Sequence, residues 1–508
     1  MTFAEQQERA LRRVIKANAR SSLYGHLGLQ KLNSYRDFEL LYQSFTRAVP
    51  VQSPKSWLEG LGRILQPPGQ ALPLVLQSPG LITRGRVDKT VPWKGLPLPW
   101  SRALGDDLLH AEARMKSRMQ AQGLTLNGAF FYLPDLEPVH RGPGTPMVGL
   151  GTALDGQRGW WRRRWVLPRM EALSAAGGSR FAWFAALLDQ LRQVGGEVSV
   201  LVTSPKTLID FMLYVSQQEG KFTPLARLVP NLQAMLFNHY EVALQRTEIG
   251  YLLKGLEQVK WLQYVWQPTG LCAAQYDINI RQRLEMDGSG QVFYEFVPAA
   301  DVTPDGKLVR NFRRLHGGQV EPGQEYMPVM TTQSGLLGVA SGQLVKVLQI
   351  DPLHVSLRGP ATRLDGLGEG IREDAVVEAL ANINMALSGH GVFIRDALLG
   401  HRVAERQPVW VLEISRPMNE VPKAVLESIA KRLHGEMELR FESYRRVYRQ
   451  ADMKPPKVYL VPLGSFAAAQ TGPVETPTSG GLFDHSANAD LVRKVVKAAW
   501  EHVSVSAS

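Results

Sequence analysis

Three pieces of one stretch decide the reading: FYEFVP (Phe293–Pro298), YMPVMTTQSGLLGVASGQLVKVL (Tyr326–Leu348) and SLRGPATRLDGLGEGIREDAVVEAL (Ser356–Leu380). The first is a run of aromatic and branched residues around one acid, Glu295, which predicts a strand. Val329, Met330 and Thr331 predict a second strand and Gln343–Leu348 a third, with Gly335 and Gly342 punctuating the turn between them. Gly359, Pro360 and the cluster Gly366, Gly368 and Gly370 then interrupt regular structure. A helix is expected over Glu373–Leu387. A β-rich block that ends at a Gly/Pro break and restarts as α/β implies two lobes meeting at a cleft.

Outward from that stretch, 508 residues exceed one hydrophobic core and imply several domains. A hydrophobic share of 44% with 21% charged residues is ordinary for a globular chain. No run reaches the roughly 18 apolar residues of a membrane span, and the N-terminus lacks the apolar core of a signal peptide. One cysteine, Cys272, excludes an internal disulfide and a thiolate zinc cluster. Cytoplasmic localisation is expected. The 58 Lys and Arg against 47 Asp and Glu give a net charge of +11, which favours acidic partners or a basic surface with scattered charge. The sharpest basic cluster is WWRRRW (Trp160–Trp165). It suits stacking on bases or an element edge with Trp packed inward. No nucleic-acid motif accompanies it, so nucleic acid is not the expected partner.

Taken in order, Ala4–Ala19 predicts an amphipathic helix and Tyr35–Tyr42 a short second one. Leu74–Gln77 predicts a strand, followed by the loop SPGLITRGRVDK (Ser78–Lys89). The helices expected next cover Asp106–Gln122, Arg180–Val194, Pro205–Gln218 and Val242–Leu256. Strands are expected at Gly128–Leu133, Glu197–Val202 and Leu228–Leu236. That alternation predicts an α/β N-terminal lobe. His239 and Tyr240 would line a cleft or serve structure. Beyond the break, Pro408–Ile414 and Lys457–Leu463 predict strands, and Val421–Leu433, Leu439–Arg449 and Asp490–Trp500 helices. The composition after Phe466 reads as a linker. There is no HExxH, no Gly-x-Ser-x-Gly elbow, and no GxGxxG opening a helix after a strand. The apolar neighbours of Cys272 predict a buried, inert thiol.

The order of these pieces resembles the acyl acid–amido synthetases, the auxin-responsive Gretchen Hagen family of adenylate-forming enzymes. The residues that carry the resemblance are Phe293–Pro298, Thr331–Gln343, Arg358–Gly359, Gly368–Ile371 and the N-terminal run Ala10–Glu39. It extends from the N-terminus to about Phe466. The resemblance implies an α/β fold of the adenylate-forming type, with a large multi-subdomain N-terminal lobe and a small mobile α/β C-terminal lobe. The lobes would span 1–355 and 361–508, with a hinge at 356–360.

The family uses ATP and Mg²⁺, and the resemblance maps its nucleotide positions onto Ser78, Thr83, Lys89, Gln275, Gln343 and Arg358. Most have lost the expected chemistry. The loop at Ser78–Lys89 lacks the tight hydroxyl–glycine succession that cradles phosphates. The motif Glu falls at Gln275, an amide with no charge for a hard cation. The acid that grips ribose falls at Gln343, and a Tyr and two Arg fall at Leu337, Gly338 and Ala340. The Lys of Gly-Glu-Lys-Leu falls at Gly370. The tail Lys has its nearest counterpart near Asp484 in Gly480–His485. Arg358 is kept, either for function or paired with Glu369 or Asp365. Losing one charge-stabilising donor costs about 10²–10³ in rate; several losses together predict a chain that no longer adenylates.

Three functions follow as expectations. One is a homologue without ATP-dependent adenylation that binds a small-molecule acid or amine, or partners an active homologous enzyme. A second is an acyltransferase that forms amides from a pre-activated carrier-protein or CoA donor, with the basic surface docking an acidic carrier. The third is an ATP-dependent acyl–amino acid ligase with an atypical site.

Overall fold

The computed structural model describes the chain outside residues 57–73, 77–96, 100–116, 134–164, 167–179 and 467–489. It also omits 20–23, 54–55, 118, 122, 126, 238–241, 268–269, 276–282, 289–291, 334, 362, 364–369, 403–405, 451–452, 500–501 and 507–508. Helix α1 (Phe3–Asn18) opens with a capping box. Thr2 Oγ1 accepts from the Glu5 amide, and the Glu5 carboxylate accepts from the Thr2 amide. The short α2 (Leu29–Leu32) and α3 (Phe38–Ala48) follow, the latter capped by Asp37. Leu11, Val14 and Ile15 of α1, Leu41 and Phe45 of α3 and Phe293 form one core. The N-terminal helices are thus built onto the strand that heads the deciding stretch.

Beyond the two-stranded pair β1 (Leu74–Leu76) and β2 (Pro97–Pro99), one sheet of 13 strands runs through the large lobe. Its first part is parallel: β3 (Ala129–Leu133), β4 (Trp165–Val166), β5 (Val198–Thr203), β6 (Ala234–Phe237) and β7 (Lys260–Gln267), in the spatial order 4-3-5-6-7. Helices α4 (Arg180–Val194), α5 (Pro205–Glu219) and α6 (Val242–Leu252) fall between successive strands in sequence. Apolar residues of all three pack with β5 and β6 in a single core. Both faces of β5 and β6 are covered, so every residue of these strands is buried, as parallel sheets require.

The sheet then turns antiparallel through β8 (Gly270–Gln275) and β9 (Leu284–Met286). β10 (Val292–Pro298), β11 (Leu315–His316) and β12 (Glu325–Thr332) lie at its far edge, and β13 (Val339–Ala340) pairs with β12. β14 (Gln343–Gln349) and β15 (His354–Pro360) close the gap back to β9. Residues 356–360 continue β15 rather than breaking from it.

The small lobe is a second α/β unit. Helix α7 (Glu373–Leu387) precedes the hairpin β16 (Ile394–Arg402) and β17 (Gln407–Ile414). Helices α8 (Lys423–Arg440) and α9 (Glu442–Arg449) lead to β18 (Lys457–Val461), parallel to β17. After α10 (Asp490–Ala498), β19 (Val503–Ser506) adds an antiparallel edge. The fold is α/β with a large N-terminal lobe and a smaller C-terminal one, as expected from the sequence. Among the described residues, no helix is long and apolar enough to cross a membrane.

Candidate functional site

The site implied by the sequence centres on the turn from Thr331 to Gln343. Thr331 and Thr332 end β12 and are fully buried. Their hydroxyl oxygens accept within the turn: Thr331 Oγ1 from the Gly338 amide at 3.0 Å and Thr332 Oγ1 from the Leu336 amide at 3.1 Å. Gly335 has φ +104°, and its carbonyl accepts from the Tyr24 hydroxyl. Asn18, at the end of α1, donates to the Thr332 carbonyl at 3.1 Å. The N-terminal helices therefore grip the turn from behind.

The chain leaving α3 covers the other side of it. The Gln52 amide donates to the Gly338 carbonyl at 2.8 Å, the Ala340 amide to the Gln52 carbonyl at 3.0 Å, and Gln52 Nε2 to the Leu337 carbonyl at 3.0 Å. At Gly338, φ is +62°, and a Cβ would stand 2.5 Å from the Pro50 carbonyl oxygen. No side chain fits there without moving backbone. Leu337 packs into the core of the N-terminal helices, and Ala340 into the core beneath β10 and β12. The three positions where the resemblance expects Tyr, Arg and Arg thus hold a core leucine, a sealed glycine and a core alanine.

The seal is anchored by Glu295, which is fully buried in β10. Its carboxylate accepts from Arg314 Nε at 2.8 Å and Nη2 at 2.6 Å, and from the Tyr42 hydroxyl at 3.1 Å. Arg314 Nη1 donates to the carbonyls of Thr46 and Val49, at 2.9 and 2.6 Å. Burial and the Glu295 charge push the Tyr42 phenol up, so it stays a donor.

Gln343 opens β14 and is 1% exposed, opposite Pro360 of β15. Its amide donates to Ser341 Oγ at 3.2 Å. Arg358, on β15, belongs to a closed ring of four charges. It pairs with Glu325 at 3.4 Å and with Asp374 at 3.3 Å; Arg372 pairs with the same two acids, at 2.9 and 3.4 Å. Burial pushes the Asp374 carboxyl up against the opposing pull of both guanidiniums. Asp365 and Glu369, the partners expected for Arg358, lie outside the described residues.

Gln275 ends β8, in register with Gln263 of β7. The structure brings Gln343 and Arg358 onto adjacent strands, and Gln275 lies in the same sheet across β9. Ser78, Thr83 and Lys89 fall outside the described residues. So do His239, Tyr240, Trp160–Arg164 and Gly480–His485. Among the described residues, no group of three His, Cys, Asp or Glu gathers as a metal would need.

Sequence reasoning missed the ring partners Glu325, Arg372 and Asp374. Glu325 lies 47 residues from Arg372, and Asp374 reads as an ordinary acid in the first turn of a helix. It also missed two contacts between the lobes. Arg395 of β16 donates two hydrogen bonds to Glu248 of α6, with both side chains 8% exposed. Lys206, at the start of α5, meets Asp396 at 2.7 Å.

Residues 289–354 match the GH3 family central domain. No curated sequence matches the chain at a significant level. Among solved structures, AtGH3.15 acyl acid amido synthetase in complex with 2,4-DB aligns with TM-score 0.69 at 13% identity. That alignment covers 99% of this chain and 95% of the other. A 2-hydroxyisobutyryl-CoA ligase in the postadenylation state aligns with TM-score 0.58 at 13% identity, covering 97% of this chain and 92% of that one. The resemblance read from the sequence is found in both comparisons.

Proposed function

We propose that this chain, which carries the GH3 central domain match and the fold of an acyl acid amido synthetase, no longer adenylates. It would instead bind a small-molecule acid or amine, or partner an active homologous enzyme, within amide formation. The observation that carries the proposal is the closure of positions 337–340. Adenylating a carboxylate concentrates negative charge, which the site must meet with cations, Mg²⁺ ligands and donors. Where arginine would be needed, Gly338 is sealed by backbone, and the Thr331 and Thr332 hydroxyl oxygens accept from amides of the turn.

The residues present do not suit a metal-bound triphosphate. Gln343 and Gln275 are neutral amides, poor ligands for a hard cation. Arg358 is neutralised by two acids within its own ring. Ser78, Thr83 and Lys89 remain candidates for a ligand pocket on sequence alone. The lobes are assigned to 1–355 and 361–508.

Calorimetry with ATP and Mg²⁺ tests the proposal. No heat of binding is expected up to millimolar nucleotide, whereas micromolar binding would restore the ATP-dependent ligase. A second reading draws on the +11 charge, which suits an acidic acyl carrier. Acyl-carrier or acyl-CoA thioesters mixed with amines and the protein, followed by mass spectrometry, would show amide product only if the chain is an acyltransferase.

A further inference from the structure

We infer that two separate charge clusters hold the small lobe docked in one orientation, so that any lobe rotation is gated by breaking them. The first is the ring of Glu325, Arg358, Arg372 and Asp374. Glu325 and Arg358 belong to strands of the large sheet; Arg372 precedes the first helix of the small lobe and Asp374 lies in its first turn. Each acid bridges both guanidiniums, so β12 and β15 are stapled to the start of α7. Gly359 lies in the strand beside it with φ +80°, its Cβ direction 3.4 Å from the Glu373 side chain.

The second cluster lies along α6. Glu248 and Arg395 form a buried ion pair between the lobes. Across the same contact, Asn384 of α7 donates to the Leu244 carbonyl at 2.9 Å and to the Ile394 carbonyl at 2.8 Å, and accepts from the Ile394 amide at 2.6 Å. Lys206 and Asp396 add a more exposed pair. Between the polar contacts the packing is continuous: Leu244 belongs to the core of the small lobe, with Ala243 packed against it. Rotating the lobe would separate Glu248 from Arg395 and expose that apolar surface together.

Removing one partner of a buried pair shifts an equilibrium on the order of 10²- to 10³-fold. The intact protein stays docked whether or not a ligand is present, because leaving that state breaks both clusters and the apolar contact at Leu244 together. The inference stands on contact geometry alone and does not depend on the functional proposal.

Single-molecule energy transfer tests it. Dyes would sit at Gln217→Cys and Gln450→Cys, both exposed, in a Cys272→Ser background. The intact chain should give one narrow efficiency peak, unchanged by ATP with Mg²⁺. Glu248→Ala and Glu325→Ala should each add a second, undocked population, and the double variant a larger one. Two populations in the intact chain, or an unchanged single peak in folded variants, would overturn the inference. Hydrogen exchange on the intact protein gives a second readout that needs no variant. Amides of α7 and β16 should exchange no faster than those of β10 and β12; opening of α7 and β16 as a unit about 100-fold faster would refute the docking.

Discussion

Replacing Glu295 by Gln should be among the most damaging single changes in the large lobe. The carboxylate is fully buried and accepts three hydrogen bonds, two of them from Arg314. Gln keeps the shape but removes the charge, and it turns an N–H donor toward a guanidinium that is only 10% exposed. Breaking a buried pair from one side costs about 3–5 kcal/mol. At a urea m-value of about 3 kcal/mol/M, that lowers the midpoint by about 1–1.7 M. The half-exposed pair Arg12–Glu8 is the internal control: Glu8→Gln should change stability by no more than about 1 kcal/mol. Arg314→Lys should fall between them, since an ammonium keeps the charge but cannot form the fork to Glu295 while also reaching Thr46 and Val49. Urea melts followed by tryptophan fluorescence give the midpoints. Hydrogen exchange at Ala340, whose amide donates to Gln52, reports whether the segment after α3 loosens with the loss of Arg314 anchoring. If Glu295→Gln melts within about 0.2 M of Glu8→Gln, the Glu295 anchor is not what holds the N-terminal helices to the sheet.

Further expectations follow from the same geometry. Gly338→Ala should cost about 2–5 kcal/mol, because the left-handed backbone and the 2.5 Å approach to the Pro50 oxygen both oppose a Cβ. Gly342→Ala, at φ +71° with nothing within 4 Å, should cost only about 1–2 kcal/mol; equal losses would remove the case for a sealed turn. Burial and the neighbouring Asp396 charge push the Glu413 carboxyl up. Its raised folded value means that the stability it contributes is fully present below its ordinary value of about 4.5 and is lost as pH rises through the folded value. Glu413→Gln, which mimics the protonated form, should therefore raise the thermal midpoint relative to the parent more at pH 8 than at pH 4. A gain that is the same at both pH values would contradict this.

The strand Phe293–Pro298 was legible because six of its seven structural residues are buried, so burial on both faces writes an unbroken apolar run. Helix α7 was legible over its full length from apolar periodicity. The helices α4, α5 and α6 were placed within a few residues at their ends. Strands β7 and β8 were not recognised as a hairpin, because the segment around Gln275 was read for a motif rather than for pairing. The short β19 (VSVS) offers too few residues for periodicity and exists because β18 supplies an edge. The break between α8 and α9 falls at Phe441, which takes an extended conformation that nothing in its side chain announces. At the candidate site, the departures expected at 337, 338, 340 and 343 came from the resemblance. The Pro50 oxygen above Gly338 did not, because it comes from 288 residues earlier in the chain. Ion rings and buried pairs between distant segments leave no local pattern, so Glu325, Arg372, Asp374, Glu248 and Arg395 emerged only with the fold.

A crystal of the protein soaked in ATP, Mg²⁺ and a carboxylic acid bears most directly on the proposal that this chain does not adenylate. The electron density should show the turn at 335–343 unchanged, Gly338 still against Pro50, and no nucleotide beside Gln343 and Arg358. A metal-bound acyl-adenylate seated between the lobes, with Arg358 released from Glu325 and Asp374, would contradict the account.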